Sequence, residues 1–182
     1  MKNAKHIAVL AALLSAGWMG SAVAAPTISF YGEVSQQTCV AQINGSTEAS
    51  VLMPTVPASA LATVGATAGL TPFTLSLTGC TAPSAGSVNV STKFLGRAVT
   101  AGGHLGNTAL SSPAGNVALQ LTADAAGATP VVLNGITTVP GAVLASGATS
   151  TSHQYGVRYI AEGGAATPGA VLGVVEYALT YP

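Results

Sequence analysis

Pro72-Phe73-Thr74-Leu75-Ser76-Leu77-Thr78-Gly79-Cys80 places an apolar side chain at every second position and a small hydroxyl between them, then stops at glycine and cysteine. Period-2 alternation is the signature of a strand with one face in a core and one in water. The same pattern recurs at Val88, Val90 and Phe94; at Val117, Leu119 and Leu121; at Tyr155, Val157 and Tyr159; and at Val175, Tyr177, Leu179 and Tyr181. An earlier window holds Ile28, Phe30 and Val34. Thr, Ser, Gln or Asn fill the alternate positions, so each window reads as a half-buried strand.

Turn clusters separate these windows: Pro83-Ser84-Ala85-Gly86, Ala101-Gly102-Gly103, Ser112-Pro113-Ala114-Gly115 and the run from Gly163 to Gly169. Asn134-Gly135, after Val131 to Leu133, reads as a two-residue hairpin turn. The stretch 56–70 is Ala- and Thr-rich and contains Pro57; a short helical turn, an extended edge and a loop all suit it, and it is treated as irregular. Short strands joined this way predict an all-β chain, an antiparallel sandwich of immunoglobulin-like type. Repeats of 20 to 50 residues, the mark of solenoids and propellers, are missing.

Composition narrows the function. Of 182 residues only 5% are charged and 49% are hydrophobic, with five basic residues against five acidic ones. Without a basic excess there is no footprint for nucleic acid or anionic lipid. Lys2 and Lys5, the apolar run from Ile7 to Leu14 and Ala22-Val23-Ala24 form a secretory signal peptide over residues 1–24. Its removal leaves Lys93, Arg97 and Arg158 against five acids, a charge of −2. The apolar run is too short to span a bilayer, and no later stretch of about 20 apolar residues follows. Regular lipid-facing strands with aromatic girdles, the mark of an outer-membrane barrel, are also missing. Export to an oxidising compartment makes a disulfide the expected fate of Cys39 and Cys80.

Catalytic chemistry finds little material. His104 and His153 lie in Gly-, Ser- and Thr-rich surroundings that suggest exposed positions. Asp124 is the only aspartate, so a Ser-His-Asp triad has chance-level support. Glu33, Glu48, Asp124, Glu162 and Glu176 are isolated in sequence and read as solvated charges rather than paired glycosidase carboxylates. No His/Cys/Asp/Glu spacing suits a metal, and no cofactor is implied. A hydrolase would need one of the carboxylates beside His104 or His153.

The chain ends carry a different signal. Residues 25–36 alternate like a strand yet lie outside the loop that a Cys39–Cys80 bridge would close. They form either the ordinary first strand of a sandwich or a strand without a partner in its own chain. Phe30-Tyr31-Gly32-Glu33-Val34 before Cys39, the stretch 72–80 and Phe94-Leu95-Gly96 together resemble subunits of bacterial pili of the chaperone–usher pathway, of the type 1 fimbrial kind. Tyr155-Gly156-Val157-Arg158-Tyr159, Ala166-Thr167-Pro168-Gly169 and terminal Tyr177, Leu179 and Tyr181 extend the resemblance over the mature chain.

That resemblance implies an incomplete immunoglobulin-like β-sandwich completed by donor-strand exchange. It divides the chain into a signal peptide (1–24), an N-terminal extension that acts as donor strand (25–36) and a pilin domain (37–182). Ile28, Phe30 and Val34 become groove-filling side chains, and Gly32 the position of close approach. Tyr177, Leu179 and Tyr181 become the C-terminal strand that binds a periplasmic chaperone. The implied partners are that chaperone, an outer-membrane usher and neighbouring pilus subunits, and the implied location is the fimbrium at the cell surface. Pro182 departs from relatives that end in Tyr and a polar residue. A minor adaptor subunit and a monomeric secreted immunoglobulin-like module are the competing expectations.

Overall fold

The computed structural model describes Gly32, Val34, Gln37 and residues 39–181. By contacts the chain divides into Met1–Gly32 and Glu33–Pro182. The second unit holds every described strand: β1 (Val40–Ile43), β2 (Thr67–Thr78), β3 (Val88–Gly96), β4 (Leu105–Gly106), β5 (Val117–Thr122), β6 (Ile136–Leu144), β7 (Thr151–Ala161) and β8 (Val175–Thr180). Two sheets result, one in the order β1-β2-β7-β5-β4 and one in the order β6-β3-β8. All of these pairings are antiparallel.

The alternating windows supply the core between the sheets. Phe73, Leu75 and Leu77 of β2, Val90 and Phe94 of β3, and Leu119 and Leu121 of β5 all point inward and are buried. Tyr155 of β7 sits at the centre, 1% exposed. Its ring meets Phe94 edge-on at 5.4 Å and Phe73 at 5.7 Å. A buried phenol must find a partner, and the Tyr155 hydroxyl donates to Thr92 Oγ1 at 2.9 Å. Burial pushes the Tyr155 phenol above its usual range, and the bond to Thr92 partly offsets this.

Cys39 and Cys80 are bridged, closing a sequence separation of 41. The bridge lies beside the β1–β2 pair, where Val40 faces Thr78. In the chain-entropy picture a loop of this size contributes about 4 kcal/mol.

Four expectations need correction. Val131 to Leu133 do not form a hairpin arm at Asn134-Gly135. Val131 and Leu133 are buried, and their amides donate to Leu121 and Gly103 carbonyls, so this stretch is held by its neighbours in space rather than by the strand that follows. β6 begins after the turn, at Ile136, and pairs with β3 instead. It escaped the alternation test because Pro140 and Gly141 interrupt it; an edge strand with a bulge tolerates proline, and the β3–β6 register shifts between Asn89 and Ser91, which faces Pro140. Gly141 is required by packing, since a Cβ there would lie 2.6 Å from the Tyr155 hydroxyl.

β5 is buried on both faces, so Ala118, Gln120 and Thr122 are not its watery side. His104, just before β4, and the Arg158 side chain cover Gln120. Finally, the stretch 56–70 is not irregular throughout: a 3-10 turn spans Ala58–Leu61 and β2 starts at Thr67.

Candidate functional site: an open sheet edge over an apolar groove

β8 carries the second functional prediction, and its burial is unusual. Facing Phe94 and Thr92 of β3 are Tyr177 and Leu179, so the register directs β8's apolar row into the sandwich. Yet Val175, Tyr177 and Leu179 are only half-buried, whereas Phe73, Leu75 and Leu77 on β2 are 7% exposed or less. β2 lies between β1 and β7; β8 is the last strand of its sheet among the described strands. Tyr181, just beyond β8, also packs partly against the core.

The cause is a groove of about 340 Å³ that opens beside β8 and reaches the core. One wall is Leu172 to Val175 with Tyr177, and the other is Ala49 to Val51 with Met53. Phe73, Phe94, Leu119 and Leu121 form part of its floor. Along the same two stretches of chain lies a second cavity of about 360 Å³, bounded by Ala58 and Leu61 on one side and by Ala166 to Val171 on the other, with Tyr159 between. Tyr159 is half-buried there, and that burial raises its phenol pKa. Among the described residues no charged side chain lines either cavity.

Of the predicted donor-strand residues, Ile28 and Phe30 lie outside the described residues. Gly32 and Val34 are both exposed, Val34 completely. The wall residues Val51, Met53, Leu172 and Val174 were not singled out in the sequence. Val51 and Met53 do alternate around exposed Leu52, but the run is short and ends at Pro54.

His104 is buried rather than exposed, at 9%, because the loop Gly102-Gly103 folds back over β5. Its Nδ1 lies 3.3 Å from Glu162 Oε1, the carboxylate-beside-histidine pairing that a hydrolase would need. Thr100 Oγ1 donates to the same carboxylate oxygen at 2.9 Å. The other ring nitrogen, however, is 3.0 Å from Gln120 Nε2, and Gln120 Oε1 accepts from Arg158 Nε. The amide orientation set by Arg158 makes His104 Nε2 an acceptor. Nε2 is thereby committed to Gln120, while Nδ1 faces Glu162 without a hydrogen bond, and the nearby Thr100 hydroxyl is spent on the Glu162 carboxylate. His153 is half-buried and its Nε2 lies 2.8 Å from the Ala123 carbonyl.

Asp124 and the Arg97–Glu176 pair are locally satisfied. Asp124 accepts from the amides of Ala128 and Thr129. Those bonds, the one from Ala128 foremost, hold its carboxyl below the usual 3.8. Arg97 meets Glu176 at 3.0 Å on the exposed face of β3 and β8. Among the described residues no group of three or more His, Cys, Asp or Glu is placed to hold a metal ion.

Known proteins share this architecture. The chain is 35% identical over 175 residues to a major fimbrial subunit of Stenotrophomonas maltophilia, covering 93% of this chain and 99% of the relative. It is 37% identical over 158 residues to an F17 fimbrial protein of Escherichia coli, covering 85% and 86%. A crystal structure of a Burkholderia pseudomallei antigen and type I fimbria protein superposes with a TM-score of 0.55 at 25% identity, covering 80% of this chain and all of the other. The P pilus rod subunit PapA has the same fold, with a TM-score of 0.57 at 20% identity over 79% of this chain and 99% of that one. The family described as "FimA: Type-1 fimbrial protein, A" matches residues 53–182, and on that match and those identities the chain belongs to the type-1 fimbrial protein family.

Proposed function

We propose that this chain is a shaft subunit of an adhesive fimbria, polymerised by donor-strand exchange, in which residues 27–36 of one copy enter the groove beside β8 of the next. The observation that carries the reading is the half-buried row Val175, Tyr177 and Leu179 at the edge of a groove floored by core aromatics. An extended segment added to an open sheet edge gains main-chain hydrogen bonds, while pockets for alternate side chains supply specificity. Ile28, Phe30 and Val34 are the matching alternate side chains; at roughly 1.5–3 kcal/mol each, their burial is worth about 5–9 kcal/mol before ordering costs. Gly32 lets the two backbones approach closely. Removing the donor would expose core, so dissociation is slow and stability becomes kinetic.

A segment at one end that fits a groove on the next copy is a heterologous contact, which propagates as a filament instead of closing. The small number of charges suits this: Ala, Thr, Gly and Ser surfaces pack against one another without desolvating ions. Before assembly, the same groove and the strand ending in Tyr177, Leu179 and Tyr181 serve a periplasmic chaperone, and an outer-membrane usher mediates the exchange. The role is structural, in a family of fimbrial subunits, and its place is the fimbrium at the cell surface.

Deletion of residues 27–36 tests this. The truncated subunit is expected to fold and to stay out of filaments, giving one band where the intact chain gives an SDS-resistant ladder. An undiminished ladder would overturn donor-strand exchange and favour a self-contained module.

A further inference from the structure

We propose that Asn107 is the positioning residue of the groove, whose side-chain amide holds the wall at Leu172 in its receptive place before a donor strand arrives. The inference rests on the donor-strand reading above. The wall between Val171 and Val174 belongs to no strand, although it must present Leu172 and Val174 to an incoming segment. Asn107 supplies what a ladder would. Its Nδ2 donates to the carbonyls of Ala114 (2.9 Å) and Ala170 (2.8 Å). Its Oδ1 accepts from the amides of Ala109 (3.1 Å) and Leu172 (3.0 Å).

One side chain thus uses both N–H donors and both acceptor sites of an amide, its full capacity. It joins three separate stretches: the exit from β4, the loop before β5 and the lead-in to β8. The carbonyls on one side and amides on the other fix which end is nitrogen. Thr108 adds two bonds to a single acceptor, its amide (2.8 Å) and hydroxyl (3.0 Å) both donating to the Leu172 carbonyl. Next in the wall is Gly173, where a Cβ would come 2.9 Å from Leu119 and 3.2 Å from Leu105. The wall is therefore pressed to the core at Gly173 and tied from outside at Leu172.

The expected consequence is kinetic. If only a fraction of subunits hold the wall open, capture is slowed by that fraction. Once a donor strand is seated, its own bonds to β8 hold the wall, and release no longer depends on Asn107. Asn107→Asp keeps the shape and removes both N–H donors, setting a carboxylate against two carbonyl oxygens.

The test uses the full mature chain, refolded from denaturant as a dilute monomer so that its groove is empty, and a labelled synthetic peptide of residues 25–36, with capture and release rates measured beside the thermal midpoint. In Asn107→Asp the capture rate is expected to fall about tenfold, equivalent to one well-made charged-group hydrogen-bond difference, with the release rate unchanged. Asn107→Ser, which keeps one donor and one acceptor, should fall between and serves if the aspartate variant does not fold. Thr108→Val, leaving the Asn107 bonds intact, should change capture least. Capture by the wild type that is unaltered in both Asn107 variants would overturn this inference alone. Equal changes in capture and release, tracking the thermal midpoint, would also overturn it, since a general structural role predicts them. Failure of the wild type to capture the peptide would overturn the donor-strand reading and this inference with it.

Discussion

β2 and β8 are written in nearly the same alphabet, yet one is sealed and the other is not. Phe73, Leu75 and Leu77 disappear between two flanking strands, while Val175, Tyr177 and Leu179 keep part of their surface beside a groove. The difference lies in neighbours rather than in hydrophobicity. The described strands flank β8 on one side alone and the groove opens on the other, whereas the opposite edge strand, β6, still buries Val139 and Leu144. A chain that writes a core strand at a sheet edge carries an unspent apolar surface, and such surfaces mark interaction sites.

The largest effect should come from the bridge that ties β1 to β2. Cys39→Ser removes about 4 kcal/mol by the loop-entropy estimate, enough to lower the yield of folded subunit sharply under oxidising conditions; an unchanged yield would show that β2 does not need it. Next, the two strands should answer differently to truncation. Leu75→Ala is expected to cost about 2–5 kcal/mol whether or not the chain is assembled, as for any sealed core position. Leu179→Ala should cost only about 1 kcal/mol in the isolated subunit and markedly more in filaments, because a half-exposed side chain has less burial to lose until a neighbour covers it. Denaturant unfolding of subunits and filaments separates the two cases, and equal penalties for Leu179 in both states would erase the distinction between the strands.

The smallest effect is electrostatic and lies away from both strands. Asp124 accepts the Ala128 and Thr129 amides, so its folded pKa is lowered from 3.8. A depressed carboxylate stabilises above its unfolded pKa and loses that contribution as pH falls through the folded value. Wild type should exceed Asp124→Asn at neutral pH and converge on it below about pH 4. A gap that persists at low pH would place the effect in packing.

How far this could be read from the sequence depended on whether local pattern or neighbours decide. β2, β5, β7 and β8 were legible because each has three or more apolar residues two apart, and β3 because Val88, Val90 and Phe94 keep the same face with Thr92 filling one step. β6 was hidden by Pro140 and Gly141, whose acceptability depends on an edge position and on the Tyr155 hydroxyl approaching from another sheet. His104 looked exposed among glycines, but those glycines let the loop fold over β5. In the site, Tyr177 and Leu179 announced themselves by alternation. Leu172, Val174 and Asn107 could not, since their placement is set by hydrogen bonds among residues up to 65 positions apart.

Hydrogen–deuterium exchange of the mature chain, refolded as a dilute monomer, with and without the peptide of residues 25–36, reaches the central claim most directly. The account predicts that amides of 175–179 gain protection when the peptide is present while those of β2 stay as they were. Unchanged exchange along β8 would contradict it.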